Sequence, residues 1–189
     1  MLTRMLISRE FFSGKREFYQ VLEATSEGAV FSASREHRYL LWRVWSGTDR
    51  LALFVGLNPS TADETADDPT IRRCIGFARR WNCSGVLVAN LFAFRATEPK
   101  ILFRAEDPIG ADNDDWISLV SRKAERTVVC WGNHGKQLGR SNIVLRMLHD
   151  PICFYRTKAG EPVHPLYLPY TSTTTPALSA SIASSEPQV

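Results

Sequence analysis

Leu51-Ala52-Leu53-Phe54-Val55-Gly56-Leu57 runs directly into Asn58-Pro59-Ser60-Thr61. The first seven residues form an uninterrupted apolar run of strand length. Such a run reads as a strand buried on both faces, the kind found in the middle of a parallel sheet. Asn-Pro is a turn signal. Further on, Asp67-Asp68-Pro69-Thr70 places an N-cap aspartate before a proline at the first helical position. Ile71, Cys74, Ala78 and Trp81 then recur at helical spacing. Strand, loop and helix in this order make one βα unit.

The unit repeats along the chain. Gly85–Leu91 (GVLVANL) is a second strand of the buried type, and Asp112–Lys123 reads as a helix with Trp116, Leu119 and Val120 on one face. Thr127–Trp131 is a third strand. Lys136–His149 reads as a helix carrying Leu138, Val144, Leu145 and Leu148, and Ile152–Tyr155 is a fourth strand. Upstream, residues 29–45 hold two apolar runs around Ser34-Arg35-Glu36-His37-Arg38, which reads as a β-hairpin. The alternation predicts an α/β fold, a three-layer α/β/α sandwich with a central, mostly parallel four-stranded sheet and an N-terminal β-hairpin. In such sheets the site lies beyond the carboxyl ends of the strands. The loops expected there are Asn58–Thr61, Asn90, Gly132-Asn133-His134-Gly135 and His164-Pro165-Leu166.

Composition bounds the rest. The 189 residues are 44% hydrophobic and 23% charged, which excludes wholesale disorder, collagen-like repeats and a disulfide scaffold. Twenty-three basic against 20 acidic residues leave a formal charge of +3, so no global field marks a nucleic-acid binder and none forbids one. Residues 1–170 read as a single domain. Thr171–Val189, rich in Ser, Thr, Ala and Pro with one charge at Glu186, reads as a disordered tail. No run reaches 18 apolar residues, and Met1–Arg9 lacks the core and cleavage site of a signal peptide. Cys74, Cys83, Cys130 and Cys153 form no C-x-x-C pair and read as buried free thiols rather than metal ligands, which fits a cytoplasmic protein. No metal, cofactor or membrane is expected.

Four segments taken in order carry a resemblance. Gly56-Leu57-Asn58-Pro59-Ser60 is similar to the first motif of the uracil-DNA glycosylase superfamily. Gly85–Asn90 resembles the strand ending in its base-reading Asn, Val128–Gly132 its Leu-Trp-Gly strand, and His164-Pro165-Leu166 its His-Pro-Ser motif. The combination NPSTAD…DDPTIRR, NLFAFRAT and HPLYLP is also similar to a bacterial family of uncharacterised proteins, a likeness that implies no activity. The superfamily resemblance implies a glycosylase-like sandwich that hydrolyses the N-glycosidic bond of a base flipped out of DNA, in repair or in attack on modified foreign DNA. DNA is then the partner; protein partners are not indicated.

The resemblance implies a role for each matching residue. Asn58 positions the attacking water, Asn90 reads the Watson–Crick edge of a pyrimidine, and His164 donates to the departing O2. Leu166 is the apolar wedge that fills the vacated stack, while Leu168 reads as core. Pro59, Ser60, Phe92 and Trp131 line the base pocket; Phe77 and Phe94 are alternatives to Phe92 for stacking. Thr61, Arg95 and Lys136 lie where phosphates run. Locally, each has a plainer reading: Asn58 as a turn residue, Asn90 as a strand-end cap, His164 as a structural loop residue.

Departures from the motif shape the expectation. Ser60 stands where the uracil-specific branch has a Tyr that blocks pyrimidine C5, so a 5-substituted base is expected to fit. Asp63-Glu64-Thr65-Ala66-Asp67-Asp68 puts four carboxylates beside a proposed DNA site. They read either as a helix cap with a solvated loop, or as a source of assistance from Asp63 or Asp67 to Asn58. Two rivals stay open: an N-glycosidic hydrolase of free nucleosides or nucleotides, and a binding module without chemistry.

Overall fold

β3 (Leu51–Gly56) occupies the interior of the sheet, and its side chains from Leu51 to Val55 are all buried. It pairs in parallel with β4 (Gly85–Asn90) on one side and β5 (Arg126–Val129) on the other. β6 (Pro151–Cys153) extends the parallel pairing beyond β5. The computed structural model describes residues 15–178. The expectation about Met1–Arg9 lies outside the described residues.

The expected four-stranded, mostly parallel sheet of the glycosylase plan is corrected by the strand pairing. With β1 (Glu27–Phe31), β2 (Arg38–Val44) and β7 (Thr175–Pro176), the sheet has seven strands in the order β1-β2-β4-β3-β5-β6-β7. It is mixed: β1–β2, β2–β4 and β6–β7 are antiparallel. The reason lies in β2, whose residues Arg38 to Arg43 are all buried. A strand hidden on both faces is an interior strand, not an appended hairpin. It lines up on β4 from Leu41 opposite Val88 to Val44 opposite Gly85, and so covers an edge that would otherwise present unpaired backbone groups. Periodicity within residues 29–45 marks the hairpin but carries no information about its partner. The segment expected to begin the tail contributes β7, with Thr175 opposite Cys153; residues 179–189 lie outside the described residues.

Helices cover both faces. α2 (Pro69–Arg80) buries Ile71, Cys74, Phe77 and Ala78 against Phe54, Val86, Val88 and Val128. Asp68 starts it by accepting the Ile71 N–H at 2.9 Å, a cap worth about 1 kcal/mol. Phe77 stacks on Trp81 and lies 4.5 Å from Phe154, forming an aromatic cluster on this face. On the other face α1 (Lys15–Ala24) and α4 (Asn113–Ser121) set Phe18 edge-on to both Trp42 and Trp116. A single turn, α3 (Pro99–Leu102), adds Leu102, and α5 (Arg140–Leu145) adds Val144.

The helix expected over Lys136–His149 is also corrected. A 3₁₀ segment spans Asn133–Gly139 and α5 only six residues. Leu138 and Gly139 have φ of +53° and +67°, left-handed values that interrupt a right-handed helix. Leu138, counted at sequence level as part of an apolar face, is exposed. The four cysteines are buried and free, and no helix among the described residues is long and apolar enough to cross a membrane.

Gly28 lies opposite Trp42, and a Cβ there would stand 2.2 Å from the indole Cζ2. Gly28→Ala is expected to lower stability by about 1–3 kcal/mol through overpacking. The measurement is the urea midpoint, with the m-value unchanged.

Candidate functional site

The chains leaving β3 and β4 stay zipped together past the strand ends. Leu91 N–H donates to the Gly56 carbonyl, Phe92 N–H to Leu57, and Ala96 N–H to Pro59, all at 2.9–3.0 Å. Asn58 sits within this zip. Its Nδ2 donates to the Ala96 carbonyl at 2.7 Å and to its neighbour Pro59 at 2.9 Å. Two carbonyl partners fix which end of the amide is nitrogen. Both donors are engaged, and among the described residues Oδ1 has no donor in this rigidly held, half-buried amide.

Asn90 ends β4 opposite Gly56 and is only 4% exposed. Its Oδ1 lies 3.0 Å from where a Cβ on Gly56 would stand, so the missing side chain makes room for the amide. Its Nδ2 is buried and has no hydrogen-bond partner. The backbone around it is the opposite case. Asn113 Nδ2 donates to the carbonyls of Asn90 and Leu91 at 3.0 Å, and Arg140 adds two bonds to Leu91 while pairing with Asp114 at 2.5 Å. The main chain is pinned and the side chain is left with an unanswered donor, although buried polar groups are almost always satisfied.

The acidic stretch is tied to the hairpin. Arg35 forms a two-pronged ion pair with Glu64 at 2.7 and 2.9 Å. Arg43 pairs with Asp67 at 2.9 Å and donates to the Asp63 carbonyl. Asp63 Oδ1 accepts the N–H groups of Thr65 and Ala66, and these bonds hold its carboxyl below the usual carboxylate range. Asp63 therefore shapes its own turn, and Asp68 caps α2. Both carboxylates have structural work of the kind the plainer reading describes.

His164 opens a 3₁₀ turn, Pro165–Tyr167, that packs against α2. Its Nδ1 accepts the Leu166 N–H at 3.3 Å, which leaves Nε2 carrying the proton. His164 is exposed by surface area, yet desolvation by its neighbours pushes its pKa below the ordinary 6.5, against the pull of Asp68, so the ring is neutral at pH 7. In the same turn Leu168 is core, Leu166 is half-buried, and Tyr167 is 89% exposed. The most exposed apolar side chain is thus the tyrosine between the two leucines, which patterning in so short a turn does not single out.

The remaining expected residues divide. Pro59 is buried, Ser60 half-buried and Thr61 exposed, all on the Asn58 loop. Phe92 is fully buried edge-on to Phe103, so its ring is core rather than a stacking face. Trp131 is 2% exposed and donates from Nε1 to Glu161 at 2.6 Å, which makes it an internal pillar rather than pocket lining. Arg95 lies 5.1 Å over the Phe31 ring and donates to the Arg35 carbonyl, and Lys136 donates to the Ala159 carbonyl. Arg95 is half-buried, whereas Lys136 is exposed and makes its bond at the surface. Among the described residues no group of three His, Cys, Asp or Glu side chains is placed to hold a metal ion.

Sequence reading missed Arg38. It belongs to a polar hairpin turn that looks solvated, yet it is 2% exposed. Its Nη1 donates to the Ala62 carbonyl at 2.9 Å, and its Nε is buried without a partner. Burial lowers its pKa to about 10, with Asp68 acting in the opposite direction. Asp68 thus acts through space on both Arg38 and His164.

Two outcomes follow from this geometry. Nitrogen chemical shifts of the His164 ring are expected to report the Nε2–H tautomer and a titration midpoint below 6.5. Trp131→Phe removes a donor to the buried Glu161 carboxylate. It is expected to cost about 1–3 kcal/mol in chemical denaturation.

No curated protein and no solved structure matches the chain. A family model described as a protein of unknown function, DUF1643, matches residues 38–166. That span starts at Arg38 and ends at Leu166, taking in Asn58, Asn90 and His164. The match covers well over half of the 189 residues, and the chain belongs to the DUF1643 family.

Proposed function

We propose that this protein is an N-glycosyl hydrolase that acts on a pyrimidine base held out of DNA. The observation that carries the reading is the Asn90 amide: buried, rigidly mounted, and with an Nδ2 donor that no atom of the described residues satisfies. A donor left open at that depth calls for an acceptor on a ligand, and a ring carbonyl beside an N–H matches a carboxamide edge to edge. Asn58 supports the same reading. Its Oδ1 is aimed by two fixed hydrogen bonds, as orienting a water requires. A neutral His164 with its proton on Nε2 supports donation to negative charge developing on a leaving oxygen. The small Ser60 leaves space for a substituent at C5.

A second reading, hydrolysis of free nucleosides or nucleotides, is favoured by one observation. Arg95 and Lys136, the cations expected to meet phosphates, are engaged by protein groups. The two readings separate on salt: binding through several phosphates weakens steeply between low and physiological salt, and turnover of a small neutral substrate does not.

The direct test is release of abasic sites from single- and double-stranded DNA carrying uracil, thymine mismatches, and 5-hydroxymethyl or glycosylated pyrimidines. Wild type is expected to release at least one of these bases. Asn90→Ala is expected to reduce the rate by about 10²–10³-fold, the cost of removing one preorganised donor. Since the Asn90 amide nitrogen makes no bond among the described residues, the variant's melting temperature distinguishes loss of chemistry from loss of fold. Absence of release from every substrate would count against the reading.

A further inference from the structure

Around the acidic stretch the arginines and carboxylates do not pair off completely. Arg35 takes Glu64, Arg43 takes Asp67 and lies 4.0 Å from Glu27, and Arg72 donates to the Asp67 carbonyl. Asp63 is engaged by its turn and Asp68 by the α2 cap. Arg38 and Arg95 remain. Arg95 is half-buried and lies over Phe31. Arg38 is 2% exposed, and among the described residues no carboxylate lies within ion-pair distance of it.

A buried guanidinium without an ion-pair partner is unfavourable; Arg95 and Arg43 act against its charge, while Asp68 and Asp63 favour it from beyond ion-pair distance. The group is nonetheless charged at neutral pH, since burial brings its pKa down only to about 10. Its location is specific. Nη1 is bonded to Ala62, two residues from Ser60 on the Asn58 loop, and the backbone N–H of Arg38 is bonded to Ala93, three residues beyond Asn90. Arg38 therefore bridges the segments that carry the two amides. Its Nε and the Asn90 Nδ2 are both buried donors without acceptors.

We propose that this site accepts a ligand bearing an anionic oxygen group, and that Arg38 receives that group beside Asn90. The inference rests on the base-binding reading only for the placement of the ligand's ring on Asn90. The anion site itself stands on Arg38. A carboxylate on the pyrimidine and the phosphate of a nucleotide share this chemistry. The depth of Arg38 and the small Ser60 favour the group carried by the base.

The test is calorimetry on the full chain with four probes: uracil, uracil-5-carboxylate, deoxyuridine and deoxyuridine 5′-monophosphate. In wild type an anionic probe is expected to bind at least about tenfold more tightly than its neutral counterpart, the size of one charge-assisted bond. A preference for the carboxylate places the charge on the base; a preference for the monophosphate places it on the nucleotide. R38M is expected to abolish the preference and R38K to retain part of it, because an ammonium keeps the charge but not the planar fork. R38M is also expected to melt at or above the wild-type temperature, since it removes a buried charge that has no carboxylate at ion-pair distance. If R38M does not fold, a reduced preference in R38K carries the test. Equal affinities for neutral and anionic probes in wild type, or a preference that survives R38M, overturns the proposal. An Arg38-dependent preference without base release from any DNA leaves this site standing and removes the glycosylase reading. Base release without the preference removes only this site.

Discussion

The pairing of β2 on β4 is the constraint on which the candidate site depends. It closes the sheet edge next to β4, and it also delivers Arg38 and Arg43 to the α2 face. Those side chains, with Arg35 from the hairpin turn, hold the loop between β3 and α2 at its carbonyls and carboxylates. Four like charges in six residues would otherwise drive that loop apart. Held there, it sets the start of α2 at Asp68 and fixes the segment that follows Asn58. An antiparallel strand thus organises the end of a parallel pair.

Rigidity at the site is unevenly distributed. The backbone at the ends of β3 and β4 is bonded several times over, by Asn58, Asn113 and Arg140. Open donors are left on the Asn90 side chain at the end of β4 and on the Arg38 side chain at the start of β2. The support is itself not fully satisfied, since the Asn113 Oδ1 is also buried without a partner among the described residues.

Much of the sheet's centre was legible in the sequence. The apolar runs at Leu51 and Gly85 mark interior strands because burial on both faces leaves no alternation. Asp68-Pro69 marks a helix start because its capping chemistry is local. The pairing of β2 was not legible, because register between distant segments leaves no periodic trace. The kink at Leu138 escaped notice because a leucine with positive φ looks like any other leucine in a helical pattern. Site residues followed the same division. Asn58 and Asn90 are identifiable at strand ends, whereas Phe92 and Trp131 look like pocket residues until burial places them inside. Arg38 was hidden for the converse reason: a charge run reads as solvated unless tertiary structure buries one of its members.

The four buried cysteines carry a consequence for the protein's redox behaviour. Burial pushes the Cys130 thiol up to about 12, raises Cys74 well above its ordinary value, and raises Cys83 as well. Thiolate, not thiol, attacks oxidants and alkylating reagents. In the folded state these three sulfurs are therefore chemically quiet, although Cys130 directly follows β5 and donates to the Val55 carbonyl. They become reactive when the core opens. Their modification in a cell would record excursions from the native state rather than a signal received by it.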